Sequence, residues 1–289
     1  MAQKGLLKAI VTVPASTANL GPGFDCLGIA LNLHNVITVW KGADNAPVPM
    51  ATAAARAFFQ AARCKPFPFS IHVDEKVPRS RGLGSSVTIR LGVIAGLNAL
   101  CGEKLSPEQI LSLVARLEGH PDNAVAAFYG GFAACAATKF VSAPVSPRLK
   151  FIALVPDESL ETKVARAVLP KQISLGDAVA NLQNVSLITA AFVTKNYPAL
   201  KNLFGDRLHQ PYRAALIPGF HEILAAAQRA SALGSYLSGA GSTLMALTLG
   251  NAKQIERTML RAARKHRLSC RSLILTADNT GMRLRARLG

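Results

Sequence analysis

The chain has no apolar run near the roughly 20 residues a membrane-spanning helix needs, because Gly, Pro or a charge breaks each one. Cysteine is scarce: five in 289 residues (Cys26, Cys64, Cys101, Cys135, Cys270), odd in number, widely spaced and without a C-x-x-C pair. That argues against a disulfide frame or a cysteine metal site and reads as reduced thiols. Aromatics are only 6% of residues, and no RNA-binding aromatic motif, homeodomain or zinc-finger pattern occurs. The N-terminal octet carries two lysines but no apolar stretch, so no signal peptide is expected and the chain is expected to be cytoplasmic. Acidic residues are also few, 16 Asp+Glu against 33 Lys+Arg, a net charge of +17. A surface of that sign attracts polyanions such as nucleic acid, acidic membrane or nucleotides.

What is present is an ample supply of core residues, half of the chain, which excludes a natively disordered chain. Ten of the basic residues fall within 253–289 against only Glu256 and Asp278. They read as a solvated helix face and basic tail rather than a nucleic-acid footprint. Val-, Ile- and Phe-rich runs predict strands at Ala9–Val13, Val36–Trp40, Phe69–Val73 and Phe151–Val155. Helices are predicted over Met50–Ala62 and from Ser85 to about Leu100, with Gly92 and Gly96 on one face for close packing. Ser106, Pro107 and Gln109 spell a capping box for another helix, whose apolar residues Ile110, Leu113, Val114 and Leu117 share a face. Further helices are expected over Leu160–Leu169 and Asp177–Thr194. After them come helix 220–233, strand 235–238, strand 243–248, helix 251–266 and strand 271–276. This order suits a ferredoxin-like sandwich. The whole is expected to be an α+β protein of two domains, 1–155 and 156–289.

The segment Pro78-Arg-Ser-Arg-Gly-Leu-Gly-Ser-Ser-Val-Thr88 follows a strand and opens a helix. Gly82 and Gly84 permit backbone conformations closed to other residues. Ser85 and Ser86 sit where free N–H groups and the helix dipole favour an anion. Arg79 and Arg81 add charge at the rim. The loop is neither a Walker A sequence nor G-x-G-x-x-G, and V-A-I-K, H-R-D and D-F-G are all absent. Other polar residues collect in short contexts: Asn19 and Asp25 in a Gly/Pro loop, and Glu118-Gly-His-Pro-Asp-Asn123 at a helix end. Thr162 and Arg166 lie four apart, and Arg213 closes His-Gln-Pro-Tyr-Arg. Asn and Asp are also ordinary turn residues, Gly119 and Pro121 also spell a helix stop, and a lone Arg in so basic a chain is most often solvated.

P-x-x-x-G-L-G-S-S resembles the phosphate-binding signature of the GHMP small-molecule kinases, the family of galactokinase, homoserine kinase, mevalonate kinase and phosphomevalonate kinase. E-G-H-P-D-N followed by Gly130-Gly131, T-K-x-A-R-x-x-L-P, H-Q-P-Y-R and Ser238-Gly-Ala-Gly-Ser-Thr243 are similar to the homoserine kinase branch of that family, from about residue 9 to 248. The resemblance implies a GHMP kinase fold, an N-terminal α/β nucleotide-binding domain plus a C-terminal ferredoxin-like sandwich. It implies ATP-dependent phosphorylation of the L-homoserine hydroxyl to O-phospho-L-homoserine, a step of threonine biosynthesis. The triphosphate would lie on Pro78, Arg79, Ser80, Arg81, Gly82, Leu83, Gly84, Ser85, Ser86, Val87 and Thr88. Mg²⁺ would lie on Ser86 and Glu118. Asn19, Asp25, His120, Asp122, Asn123, Thr162, Arg166, Arg213 and Gly239 would hold the amino acid, with Asp122 and Glu118 the catalytic pair. Asp122 serves as a base or only orients the hydroxyl. Another alcohol of the mevalonate type is the nearest alternative substrate, a basic nucleic-acid-binding protein is a more distant reading, and a homodimer is left open.

Overall fold

The computed structural model describes residues 6–42, 48–137 and 139–288. The chain runs β1 (Leu6–Ala18), β2 (Leu27–Lys41), α1 (Pro49–Ala61), β3 (Phe69–Asp74), α2 (Ser85–Leu100), α3 (Pro107–Glu118), α4 (Asp122–Tyr129), β4 (Phe132–Ala136), β5 (Lys139–Ala143) and β6 (Lys150–Pro156). It continues through α5 (Thr162–Ala167), α6 (Leu175–Val193), α7 (Gln210–Arg213), α8 (Phe220–Arg229), β7 (Gly234–Leu237), β8 (Leu244–Thr248), α9 (Ala252–Lys265), β9 (Cys270–Leu275) and β10 (Arg283–Leu288). The architecture is α+β.

The first sheet has the order β10-β1-β2-β4-β5, with β3 also on β2. β2 is long enough to serve two partners on one side: Leu27–Ile29 pair with β4, and Val36–Lys41 pair with β3. α2 lies against this sheet with glycine at the contact. A Cβ on Gly92 would meet Ile37 Cγ1 at 2.6 Å, and one on Gly96 would meet Val39 Cγ2 at 2.6 Å. α3 forms because its first turn is satisfied by side chains. Ser106 Oγ accepts from Gln109 N, and Gln109 Oε1 accepts from Ser106 N.

The second sheet is antiparallel with the order β7-β8-β6-β9, the strand arrangement of a ferredoxin-like sandwich. β6 is central, and its unbroken apolar run follows from burial on both faces. Phe151, Ala153 and Val155 enter a core shared with the first sheet and α6, whereas Ile152 and Leu154 pack under α8 and α9. Phe132 of β4 stacks on Phe192 of α6 at 4.6 Å and 3°, joining the two halves of that shared core. The expected division near residue 155 falls at the end of β6, which belongs to the second sheet, while β10 returns to pair with β1 of the first. On α9, Ile255, Met259 and Ala263 are buried at four-residue spacing. Lys253, Arg257, Arg261, Arg264 and Lys265 are exposed on the opposite side, so this part of the positive charge is a solvated face.

Several elements differ from the sequence expectation. The expected stop of α3 holds, with Gly119 at φ +87° ending it, but α4 was not expected: Pro121 is also the N-cap of this new helix, which Asp122 opens. β4, β5, β10 and the first half of β2 were not expected. Phe-Ala-Ala-Cys-Ala in β4 offers few β-branched residues, and its strand form comes from pairing with β2 and β5. α6 starts at Leu175 rather than Asp177, because Ser174 Oγ accepts from Asp177 N at 3.0 Å. No helix among the described residues is long and apolar enough to cross a membrane.

Candidate active site

A cavity of about 690 Å³ opens where the α2 N-terminus, the α3–α4 junction, the β1–β2 loop, α5, α7 and the β7–β8 loop meet. The size is that of a small-molecule site. Of the residues singled out from sequence, Arg79, Ser80, Arg81, Gly82, Gly84, Ser85, Ser86 and Val87 line one side. Asn19, Asp25, Glu118, His120, Asp122, Asn123, Thr162, Arg166, Arg213 and Gly239 line the rest. Pro78, Leu83 and Thr88 are not in the lining. Leu83 is buried behind it, and Thr88 faces the core, where its Oγ1 accepts from Asn35 Nδ2 at 2.8 Å.

The anion cradle is built by backbone. Gly84 is the N-cap of α2 at φ +69°, and no side chain caps the helix, so the first-turn N–H groups stay available. Both loop glycines are forced by the protein itself. A Cβ on Gly82 would lie 2.1 Å from Ser238 O, and one on Gly84 would lie 2.2 Å from Ser16 Oγ. The 238–243 turn and β1 thus clamp the 78–88 loop from below, and Ser238 Oγ donates to Gly82 O at 2.6 Å. The two rim arginines are engaged. Arg79 pairs with Glu75 at 2.6 Å, and that hydrogen bond and charge hold its pKa above the usual arginine value. Arg81 donates to Pro156 O at 2.7 Å and to Asp157 O, bracing the loop against the second sheet.

Beside the cradle, Ser86 Oγ donates to Glu118 Oε2 at 2.8 Å, while Arg90 grips Oε1 at 2.5 Å. Ser86 and Arg90 are one helical turn apart on α2, which aims both at the end of α3. A hydroxyl and a carboxylate facing a phosphate cradle form a hard oxygen set of the kind Mg²⁺ takes together with phosphate oxygens. On that donor chemistry the residues fit the ion.

Across the cavity lies a second polar group. Asp122, at the first position of α4, is almost fully buried. Its Oδ1 accepts from His120 Nδ1 at 2.7 Å, from Asn123 N at 2.7 Å and from Asn123 Nδ2 at 3.3 Å. Its Oδ2 has no protein partner among the described residues. Burial disfavours the charged form of His120, but the Asp122 hydrogen bond and the charges of Asp122 and Asp25 outweigh it, and its pKa is raised. Ligand atoms of Asp25, His120 and Asp122 lie within 4.8 Å of one another, a set with the right donors for a cation. Its members are already committed, His120 to Asp122 and Asp25 to Arg166.

The third group is cationic. Arg166 Nη2 bonds Asp25 Oδ1 at 2.7 Å. Arg213 is 1% exposed and donates to Ala165 O, Gly239 O and His209 Nδ1 at 3.0–3.1 Å, leaving Nη2 without a protein partner among the described residues. Burial and then the Arg166 charge push the Arg213 guanidinium down to about 10, so it stays charged near neutral pH. Both guanidinium carbons lie 5.3 Å from the centroid of the Phe24 ring, which His209 stacks against at 5.0 Å. His209, pushed down to about 4 chiefly by burial, is neutral; it donates Nε2–H to Gly21 O and accepts from Arg213 at Nδ1. Asn19, at φ +71°, donates to Gly239 O at 2.8 Å and accepts from Asp25 N at 3.0 Å, so its side chain fixes the loop that presents Asp25.

Sequence reasoning missed Phe24, His209, Asp206 and Arg90. Asp206 accepts backbone N–H groups from Leu208, His209 and Gln210 and so nucleates the short α7 turn that carries Arg213. Arg90, four residues after Ser86, and His209, four before Arg213, carried a spacing signal that could have pointed to them.

Residues 49–131 match the family model for the GHMP kinases N terminal domain, and residues 188–265 match that for GHMP kinases C terminal. The chain is 40% identical to the homoserine kinase of Caldicellulosiruptor bescii over 94% of this chain and 95% of that one. It is 37% identical to that of Moorella thermoacetica over 94% and 98%. The crystal structure of homoserine kinase from Cytophaga hutchinsonii superposes with a TM-score of 0.86 at 27% identity, covering 96% of this chain and 97% of that one. Mevalonate kinase from Methanococcus jannaschii shares the fold at 16% identity and a TM-score of 0.68. With a helix N-terminus and the arginine pair facing one cavity, these matches identify the chain as a member of the GHMP kinase family, in its homoserine kinase branch.

Proposed function

We propose that the chain transfers the terminal phosphoryl group of ATP to the side-chain hydroxyl of L-homoserine, giving O-phospho-L-homoserine and ADP. The observation that carries this reading is that one cavity holds an anion cradle at a helix N-terminus, an unengaged carboxylate oxygen and two arginines over one aromatic ring. A nucleotide triphosphate, an alcohol and an amino-acid carboxylate answer to these three in turn.

The α2 N–H groups and dipole hold the phosphates. Ser86 and Glu118 would hold Mg²⁺, which when bound supplies neutralisation of charge on the phosphate oxygens. Arg213 Nη2 and Arg166 take the α-carboxylate; Thr162 and Gly239 border that end, and Asp25 faces the ammonium. Asn19 holds Asp25 and Gly239 in place. The homoserine hydroxyl donates to Asp122 Oδ2, which aims its oxygen at the γ-phosphorus. The O–P bond forms as the bond to the ADP oxygen breaks, and the hydroxyl proton is released towards Asp122. Because Oδ1 already accepts three hydrogen bonds, and because phosphoryl transfer passes through a loose transition state, Asp122 acts chiefly as an orienter. Asn123 and His120 hold Asp122. In the working division, the phosphate loop belongs to residues 1–155 and the arginine pair to 156–289.

A mevalonate-type alcohol would also offer its carboxylate to the two arginines, but it leaves Asp25 without an ammonium. ADP release measured with homoserine, mevalonate and galactose separates the two. The proposal requires turnover with homoserine at least a hundredfold above either competitor; equal or better turnover with mevalonate removes it.

A further inference from the structure

Cys64 and Cys101 are 37 positions apart, and nothing in their sequence spacing relates them. The fold brings their sulfurs to 3.0 Å, about 1 Å longer than a disulfide bond. Cys64 follows the end of α1, where its N–H bonds Phe59 O at 3.2 Å. Cys101 is the C-cap of α2, with its N–H on Leu97 O at 2.9 Å. Both backbones are therefore anchored, and both residues are half-buried rather than sealed in the core. No other Sγ–Sγ contact exists among the described residues, and the family reading of the site uses neither thiol.

We propose that Cys64 and Cys101 are a modification site: they form a reversible disulfide that staples the C-terminal ends of α1 and α2. The oxidant class is a hydroperoxide. One thiolate attacks the peroxide oxygen, giving a sulfenic acid and expelling an alkoxide or hydroxide. The second sulfur then displaces hydroxide, which leaves as water with the second thiol's proton. In sum, two thiols and one hydroperoxide give a disulfide, an alcohol or water, and water, with two electrons passing from sulfur to oxygen. Burial, then the hydrogen bond and charge of Cys64, push the Cys101 thiol up to about 12 against the opposing charges of Lys41 and Lys104.

The place of the pair sets the consequence. The opposite ends of the same helices, Val48–Met50 and Ser85–Ser86, line the active cavity. α2 alone, 16 residues long, puts about 24 Å between the staple and the phosphate cradle. The bond thus constrains the unfolded chain across a loop of nearly forty residues while leaving the cradle untouched. It acts as a stabilising staple and not as an off switch. The expected gain is roughly 5 °C in Tm for a chain of this size.

The test treats the full chain with hydrogen peroxide, blocks remaining thiols with iodoacetamide and maps peptides by mass spectrometry before and after dithiothreitol. A Cys64–Cys101 crosslinked peptide that dithiothreitol removes is expected, with a reversible rise in Tm. Cys64→Ser and Cys101→Ser should each abolish crosslink and rise together, whereas Cys270→Ser should keep both. ATP turnover of the oxidised protein should stay within twofold. Alkylated or over-oxidised Cys64 and Cys101, a crosslink to another cysteine, a Tm rise surviving Cys101→Ser, or a large fall in turnover on crosslinking would each overturn the proposal.

Discussion

Replacing Asp122 by Asn tests how the hydroxyl is handled. The amide keeps the shape of the side chain, and its oxygen can still accept from His120 Nδ1 and Asn123 N, the two bonds that now hold Asp122 at 2.7 Å each. What changes is the atom facing the cavity: an acceptor oxygen becomes an NH₂ donor, which cannot accept the homoserine hydroxyl. The loss is one hydrogen bond to a charged group, about 1.5–3 kcal/mol, or a fall in kcat of roughly 10- to 150-fold. Were Asp122 the base that removes the proton in the rate-determining step, the loss would add about 10²–10⁴. The assay is steady-state ADP release at saturating ATP and homoserine, with the KM for ATP and Tm as controls. A drop within the first range at unchanged ATP KM agrees with an orienting role. A drop beyond about a thousandfold refutes that role in favour of base catalysis, and a change under threefold removes Asp122 from the substrate altogether.

Arg213→Lys keeps the charge but loses the planar fork; the KM for homoserine should rise about 10- to 100-fold with the KM for ATP unchanged, and an unaltered homoserine KM takes Arg213 out of the carboxylate site. Ser86→Ala removes one of the two oxygens offered to Mg²⁺ and should raise the Mg²⁺ concentration for half-maximal rate several-fold at saturating ATP; a metal titration superposable on the wild type would contradict that placement. The His120 pKa is raised on folding from 6.5, so its stabilising contribution is fully present below that value and is lost as pH rises through the higher native one. The Tm gap between wild type and His120→Gln should be widest near pH 5.5 and shrink towards pH 9, and a gap that widens with pH would reverse the sign of the interaction.

The legible parts of the sequence were those set by local chemistry. α3 could be placed to the residue because its capping box is written in four consecutive letters. α2 and the phosphate loop were legible because glycines and serines mark a helix start. β6 was plain as a run buried on both faces, and the β-β-α-β series near the C-terminus carried its own turn signals. What stayed hidden was long-range. The second role of Gly82, clearing Ser238 from 156 positions away, has no local signature. Phe24 looked like one more residue in a Gly/Pro loop; its place under two arginines depends on α5 and α7 arriving from the second half of the chain. β10 was lost in a run of arginines, and only pairing with β1 makes it a strand. α4 stayed hidden for a related reason: the proline that stops one helix also stands at the start of the next.

The central claim, that a nucleotide's terminal phosphate meets an amino acid's side-chain oxygen in this cavity, is tested most directly by identifying the product. Phosphorus–proton correlation NMR on the reaction of ATP with L-homoserine should show the new phosphate coupled to the side-chain CH₂ next to oxygen, with ADP formed in equal amount. ADP formed without that coupled signal, or phosphate found on the carboxylate or in free solution, would contradict it.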